Sequence, residues 1–274
     1  MTANGRTELT KFLNAPVNSK TRERIFFNRL YFDIKLAAAR RGYSLTVFEP
    51  EVDREGFDVV LDDADTRRHL QLKSATVSAG TKKWTTTPRL LRPELIEIER
   101  MHFESSPHGE GLGGGVILIL IDDEKAECPV KYFFTDLYIV AALSAGLMTQ
   151  VGTRGNGVKQ LRRDQARRVL DQLYEERDHN AELVLPRAVF LELKSPDCLL
   201  AIAGLHSVEQ RGQQWSSGFV HAYSKNFVTD DSGQPEVSLG RQIIAFAHAA
   251  GSSLLTLTNE PKLQLFQSGF KDML

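Results

Sequence analysis

Two short runs decide the fold of this chain: Gly56-Phe57-Asp58-Val59-Val60-Leu61 and His69-Leu70-Gln71-Leu72-Lys73-Ser74-Ala75. Both are rich in residues that suit a pleated, half-buried surface, and both have strand length. Between them lies Asp62-Asp63-Ala64-Asp65-Thr66, a polar cluster of the kind that closes a hairpin. The sequence therefore predicts strands over Phe57–Leu61 and His69–Ala75, paired antiparallel. A third strand, Tyr43–Phe48, precedes them.

Upstream, residues 19–41 carry Ile25, Phe26, Leu30, Ile34 and Ala37/Ala38 at helical spacing. Ser19 is the expected N-cap and Gly42 the C′ residue after the basic pair Arg40 and Arg41. Downstream, Pro93–Phe103 reads as a second helix. Gly109–Gly115 reads as a flexible connection, because it lacks the Lys-Ser/Thr of a phosphate-binding loop and precedes a strand. Val116–Ile121 is a continuous apolar run, the signature of a strand covered on both faces. Val130–Phe134 is the next strand and leads into a helix over 136–147. Helices interspersed with strands in this order predict an α/β fold, a mixed sheet flanked by helices. The glycines Gly146, Gly152, Gly155 and Gly157 suggest a boundary. The expected division is a domain over residues 1–150 and a smaller α/β or mostly α part over 151–274. That second part opens with a charged helix, Gln160–Arg177, and has a helix start at Ser195-Pro196-Asp197. Val184–Lys194 suits strand or helix, and 241–250 reads as helical.

The chain has 274 residues, enough to bury a core without staples. Its 34 Lys+Arg against 35 Asp+Glu exclude a histone-like polycation but leave room for a local basic groove. Cys128 and Cys198 form neither a disulfide framework nor a C-x-x-C site. No apolar run reaches the roughly 20 residues of a membrane span. The N-terminus lacks a basic-then-apolar signal pattern, so a cytoplasmic setting is expected.

Gln71 and Lys73 lie two apart on one strand and so share a face. Pairing of the hairpin brings Asp58 beside them. A carboxylate, an amide oxygen and an ammonium around one small volume suit phosphodiester hydrolysis. The two oxygen donors suit Mg²⁺, and the lysine can orient a water or neutralise a phosphate.

The helix–strand–strand–strand–helix–strand order, with Gly-Phe-Asp followed by Leu-Gln-Leu-Lys-Ser, resembles the PD-(D/E)xK nuclease superfamily. Within it, the likeness is to the Mrr-like restriction-endonuclease-like branch, where glutamine replaces the acid to give Q-x-K. The resemblance covers about residues 19–135, half the chain. It implies a restriction-endonuclease-like fold and a Mg²⁺-dependent endonuclease acting on DNA, with Mn²⁺ as a substitute and a setting in restriction or phage defence. It also implies Asp58 as metal ligand, Gln71 and the Leu72 carbonyl as its companions, and Lys73 as the catalytic lysine. The family adds a glutamate from the first helix. Glu23 takes that part here, with Glu51 and Asp53 as alternative acids. Because glutamine stands where an acid is usual, a nuclease-like module that binds nucleic acid or a partner without cutting is the alternative, and a ribonuclease is another. The near-neutral charge predicts weak, salt-sensitive DNA affinity, hence a homo-oligomer or a partner subunit.

Lys82-Lys83-Trp84 is expected in a loop leaving the third strand, where its charges and ring would contact nucleic acid. Leu191-Glu192-Leu193-Lys194-Ser195, with Asp178 upstream, repeats an E-x-K pattern and reads as coincidence. Arg162, Arg163, Arg167 and Arg168 read as a solvated helix face. The seven histidines show no zinc-site spacing.

Overall fold

The predicted hairpin forms, and its second strand lies in the middle of the main sheet. In the computed structural model, residues 8–50, 56–94, 110–145, 148–150, 157–175, 181–206, 252–259 and 263–265 are described. Strand β2 (Val59–Asp62) pairs antiparallel with β3 (Arg67–Thr76), Val59 facing Leu70 and Asp62 facing Arg67. The turn is held by its own aspartates. Asp62 Oδ1 accepts from Ala64 N, and Asp63 Oδ1 accepts from Asp65 N and Thr66 N, which lets Ala64 take φ 76°. The expected strand Tyr43–Phe48 shortens to β1 (Thr46–Phe48), antiparallel to β2.

Helix α1 (Glu8–Asn14), which the sequence reading does not anticipate, and a 3-10 turn over Pro16–Asn18 lead into α2 (Ser19–Arg40). Ser19 is the first helical residue rather than the cap, because the 3-10 turn runs straight into the helix. Gly42 ends it at φ 77°, as the left-handed position after a helix demands. Phe26, Leu30, Ile34, Ala37 and Ala38 are buried, the apolar row read from the periodicity. Asp123, 1% exposed, anchors α1: its backbone oxygen accepts from Thr10 Oγ1, and its carboxylate accepts from Ser78 and Asn14.

Beyond β3 the structure departs from the expected loop. Lys83–Thr86 is a strand, β4, whose partner is β8 (Leu183–Pro186), far along the chain. Alternate residues Trp84 and Thr86 are buried while Lys83 and Thr85 are exposed, so the strand pattern lies in a stretch that reads as polar. A helical turn α3 (Pro88–Leu91) follows, and Pro93 and Glu94 lie outside any helix. The rest of the helix expected over Pro93–Phe103 falls outside the described residues. Residues 111–114 are pinned rather than flexible. Gly111 N–H donates to Pro93 O, Gly113 N–H to Arg92 O and Gly114 N–H to Leu90 O. A Cβ on Gly111 would meet Arg92 O at 2.1 Å, so only glycine permits this approach.

Strand β5 (Gly115–Ile121) then pairs parallel with β3, Lys73 facing Leu118. Strand β6 (Val130–Asp136) is antiparallel to β5. The unbroken burial from Gly115 to Ile119 requires cover on both faces. Asp136 caps α4 (Leu137–Ser144) by accepting from Ile139 N and also pairs with Arg68. Strand β7 (Met148–Gln150) precedes α5 (Gly157–Glu175), which packs on α4. The ambiguous stretch 184–194 resolves into β8, a 3-10 turn and β9 (Leu191–Glu192), which adds to β6. The helix start at Ser195 is realised as α6 (Pro196–Ile202), with Ser195 as cap. A helical turn over 252–257 and β10 (Leu263–Leu265), paired with β7, complete the described elements. The stretch 241–250 lies outside them.

The chain is thus α/β, with a mixed six-stranded sheet in the order β1-β2-β3-β5-β6-β9. Three pairings, β4 with β8, β6 with β9 and β7 with β10, cross the boundary expected near residue 150. No helix among the described residues is long and apolar enough to cross a membrane.

Candidate functional site

Asp58 stands one residue before β2 and grips β3 twice. Its N–H donates to Leu70 O at 2.9 Å, and its Oδ2 accepts from Leu72 N–H at 2.6 Å. The two bonds straddle Gln71. Just before β2 begins, a side-chain oxygen stands in for a strand carbonyl and satisfies an N–H of a buried segment. The carboxylate is therefore fixed against the peptide between Gln71 and Lys73.

Gln71 is 8% exposed, and its Oε1 has no hydrogen-bond partner among the described residues. A buried amide oxygen without a donor is costly unless something occupies it. Lys73, two residues on and half-buried, makes no hydrogen bond or ion pair among the described residues. Leu72, between them, is part of the core.

Glu23 is exposed on the second turn of α2 and lines a cavity of about 260 Å³ together with Asp58. The same cavity is walled by Lys20, Arg24, Phe27, Tyr31 and Glu49. Gln71 and Lys73 are not among its lining residues, so the helix glutamate meets one half of the strand motif there. Phe57 closes another wall, its ring edge-on to His69 at 4.9 Å between centroids.

Arg24 Nη1 donates to both Glu49 oxygens, at 3.1 and 3.0 Å. Burial, with the Glu49 carboxylate hydrogen-bonded beside it and Asp58 nearby, pushes the Tyr31 hydroxyl well above its ordinary pKa. Tyr31 and Glu49 are the residues that the sequence reading missed. Tyr31 follows Glu23 and Phe27 at helical spacing, so the signal for its face was present. Glu49 carries no local signal. It follows β1 and reaches the cavity only because the strand ends there.

The remaining candidates lie elsewhere or do other work. Lys82 and Lys83 are exposed. Trp84 is 9% exposed and packs edge-on against Phe190 at 5.5 Å, so its ring is core and offers no stacking face. Arg162 is buried and donates to Phe190 O, and Arg163 donates to Ser144 O, so these two tie α5 down; Arg167 and Arg168 are exposed. Glu192 pairs with Lys131, and Lys194 donates to Thr256 O, which occupies the second E-x-K in edge packing. Asp178, Glu51 and Asp53 lie outside the described residues. Asp33 is held by Arg29 and Tyr132, away from this cavity.

The groups on this strand pair that could serve a cation are oxygens: the Asp58 carboxylate, fixed against Leu72 N–H, and the partnerless Gln71 Oε1. Such a set fits a hard cation that retains several waters, and the orphaned amide oxygen is the feature that fits it best. Among the described residues no group of three or more His, Cys, Asp or Glu is placed to hold a metal ion. No protein-family model matches the chain, and no curated protein matches it.

Proposed function

We propose that this chain is a Mg²⁺-dependent endonuclease that hydrolyses DNA phosphodiester bonds on a PD-(D/E)xK-like core, in a cytoplasmic role such as restriction or phage defence. The observation that carries the reading is the clamp of Asp58 on Leu72 N–H, directly between Gln71 and Lys73 in the strand, together with a Gln71 Oε1 that is buried and unsatisfied. In this reading Asp58, Gln71 Oε1 and the Leu72 carbonyl hold Mg²⁺. The ion, when bound, supplies charge for the phosphoryl oxygens and a more acidic water.

The chain's own residues do the rest. The bond to Leu72 holds the Asp58 carboxylate in one orientation, so little reorganisation accompanies the reaction. Lys73 holds the attacking water by hydrogen bonding or counters the charge growing on the scissile phosphate. Glu23 orients water at the far side of the cavity it shares with Asp58. A duplex far larger than this cavity is held by more than one copy or by a partner subunit.

Plasmid cleavage with Mg²⁺, Mn²⁺ or EDTA tests this, run beside Asp58→Asn, Gln71→Ala and Lys73→Ala. Cleavage that needs metal and is lost in Asp58→Asn and Lys73→Ala is the expected result. Inert protein that still retards labelled DNA in a gel makes the chain a binding module. Cleavage of RNA with DNA left intact makes it a ribonuclease. Either result refutes the proposal.

A further inference from the structure

The cavity at Asp58 does not end there. A second one, of about 500 Å³, is lined by Tyr31, Phe32, Lys35, Leu36, Val47 and Glu49, and the two meet at Tyr31 and Glu49. Together they form a groove along α2, beside the β1 edge of the sheet.

Its wall is a stripe of α2 in which two rings lie between basic residues. Lys20, Arg24, Phe27, Tyr31 and Lys35 follow at spacings of four, three, four and four, one helical face adjoining the buried row. From Lys20 to Lys35 the stripe runs about 22 Å at 1.5 Å per residue. Phe32, next to Tyr31, is 63% exposed. Phe27 and Tyr31 each rest against the core and line the groove. Lys20 and Lys35 make no ion pair or hydrogen bond among the described residues, so their charge is available to a ligand.

From this we infer that the α2 groove takes a single strand of nucleic acid, with bases against Phe27, Tyr31 and Phe32 and backbone phosphates near Lys20 and Lys35. Rings stack on base faces, and a duplex keeps those faces against one another, so only an unpaired strand can use this wall. The inference deepens the nuclease reading and rests on it, because the groove leads to Asp58. The carboxylates of Glu23 and Asp58 at that end repel a phosphate, so a divalent cation strengthens binding at the end near Asp58, while the aromatic stretch acts without one.

The test is fluorescence titration of the full chain with a DNA oligonucleotide carrying 2-aminopurine, single-stranded and as a duplex, in Ca²⁺ and in EDTA. Wild type is compared with Phe32→Ala and Phe27→Ala, and with Phe27→Tyr as rescue; thermal melts establish that each is folded. The exposed position of Phe32 makes its variant safe for folding. Binding of the single strand at least about tenfold tighter than the duplex, weakened about tenfold by each alanine and restored by tyrosine, is expected from losing one stacked base. Single-stranded RNA that competes as well as DNA supports the same groove. Equal or tighter binding of the duplex, or unchanged binding by both folded alanine variants, overturns it. Adding Mg²⁺ to the bound complexes separates the two ideas. A strand that binds through Phe27 and Phe32 while neither it nor the duplex is cut refutes the nuclease and keeps the groove. Duplex cleaved without preference keeps the nuclease and refutes the groove.

Discussion

The double grip of Asp58 on β3 separates architecture from chemistry, because two substitutions remove different things. Leu72 is 4% exposed, and its N–H has the Asp58 carboxylate at 2.6 Å as acceptor. Asp58→Ala deletes that acceptor and leaves a buried donor unsatisfied, which costs about 1–3 kcal/mol. In a chain of this size about 1 kcal/mol moves the melting temperature by roughly 2–4 °C, so a fall of about 2–12 °C follows. Asp58→Asn keeps an oxygen in the same place but loses the charge. A charge-assisted bond becomes a neutral one, about 1 kcal/mol or less in stability. The assay is thermal and urea unfolding of both variants, paired with metal-dependent cleavage. The alanine variant is expected to be clearly destabilised, the asparagine variant near wild type, and both inactive. An alanine variant as stable as wild type would show that the carboxylate does not hold β3. An active asparagine variant would remove the charge of Asp58 from the mechanism.

Three other outcomes follow from the same geometry. Tyr31, Tyr43 and Tyr132 all have raised pKa values, Tyr43 up to about 12, with burial the first cause of each. Their stabilising contribution is complete below the unfolded value of about 10 and is lost as pH rises through the folded values, since the unfolded chain sheds these protons first. Phenolate absorbance should show these three silent at about pH 11 in the folded chain and titrating in urea; all six tyrosines ionising together near pH 10 would contradict this. Asp123→Ala strips the buried acceptor of Ser78 and Asn14 and should cost about 2–4 kcal/mol by urea unfolding, and a value near zero would sink the anchoring role. A fragment ending at residue 150 loses β8 from β4, β9 from β6, β10 from β7 and α5 from α4. It should fail to unfold cooperatively, and a sharp, cooperative transition would show that the first 150 residues suffice.

Much of the architecture was legible because it is local. The apolar row of α2 obeys a 3.6-residue period, the hairpin announces itself through its aspartate-rich turn, and β5 is a run too apolar for anything but the middle of a sheet. Local signals failed where a strand draws its partner from far away. Lys83–Thr86 reads as a polar loop because half its residues face solvent, and the mate that makes it a strand lies a hundred residues on. The same is true of β9, two residues long, which no periodicity can reveal.

For the site, the sequence by itself determined the chemistry on one strand: Gln71 and Lys73 share a face of β3 by the two-residue period. Only the tertiary structure decided what surrounds them. It clamps Asp58 onto Leu72, turns Glu23, Tyr31 and Glu49 into walls of one cavity, and buries Trp84 against Phe190 where a surface ring was expected. The physical reason is range. Periodicity and turn chemistry act over a few residues, whereas burial is settled by which distant segments cover a side chain, and no residue type carries that information alone.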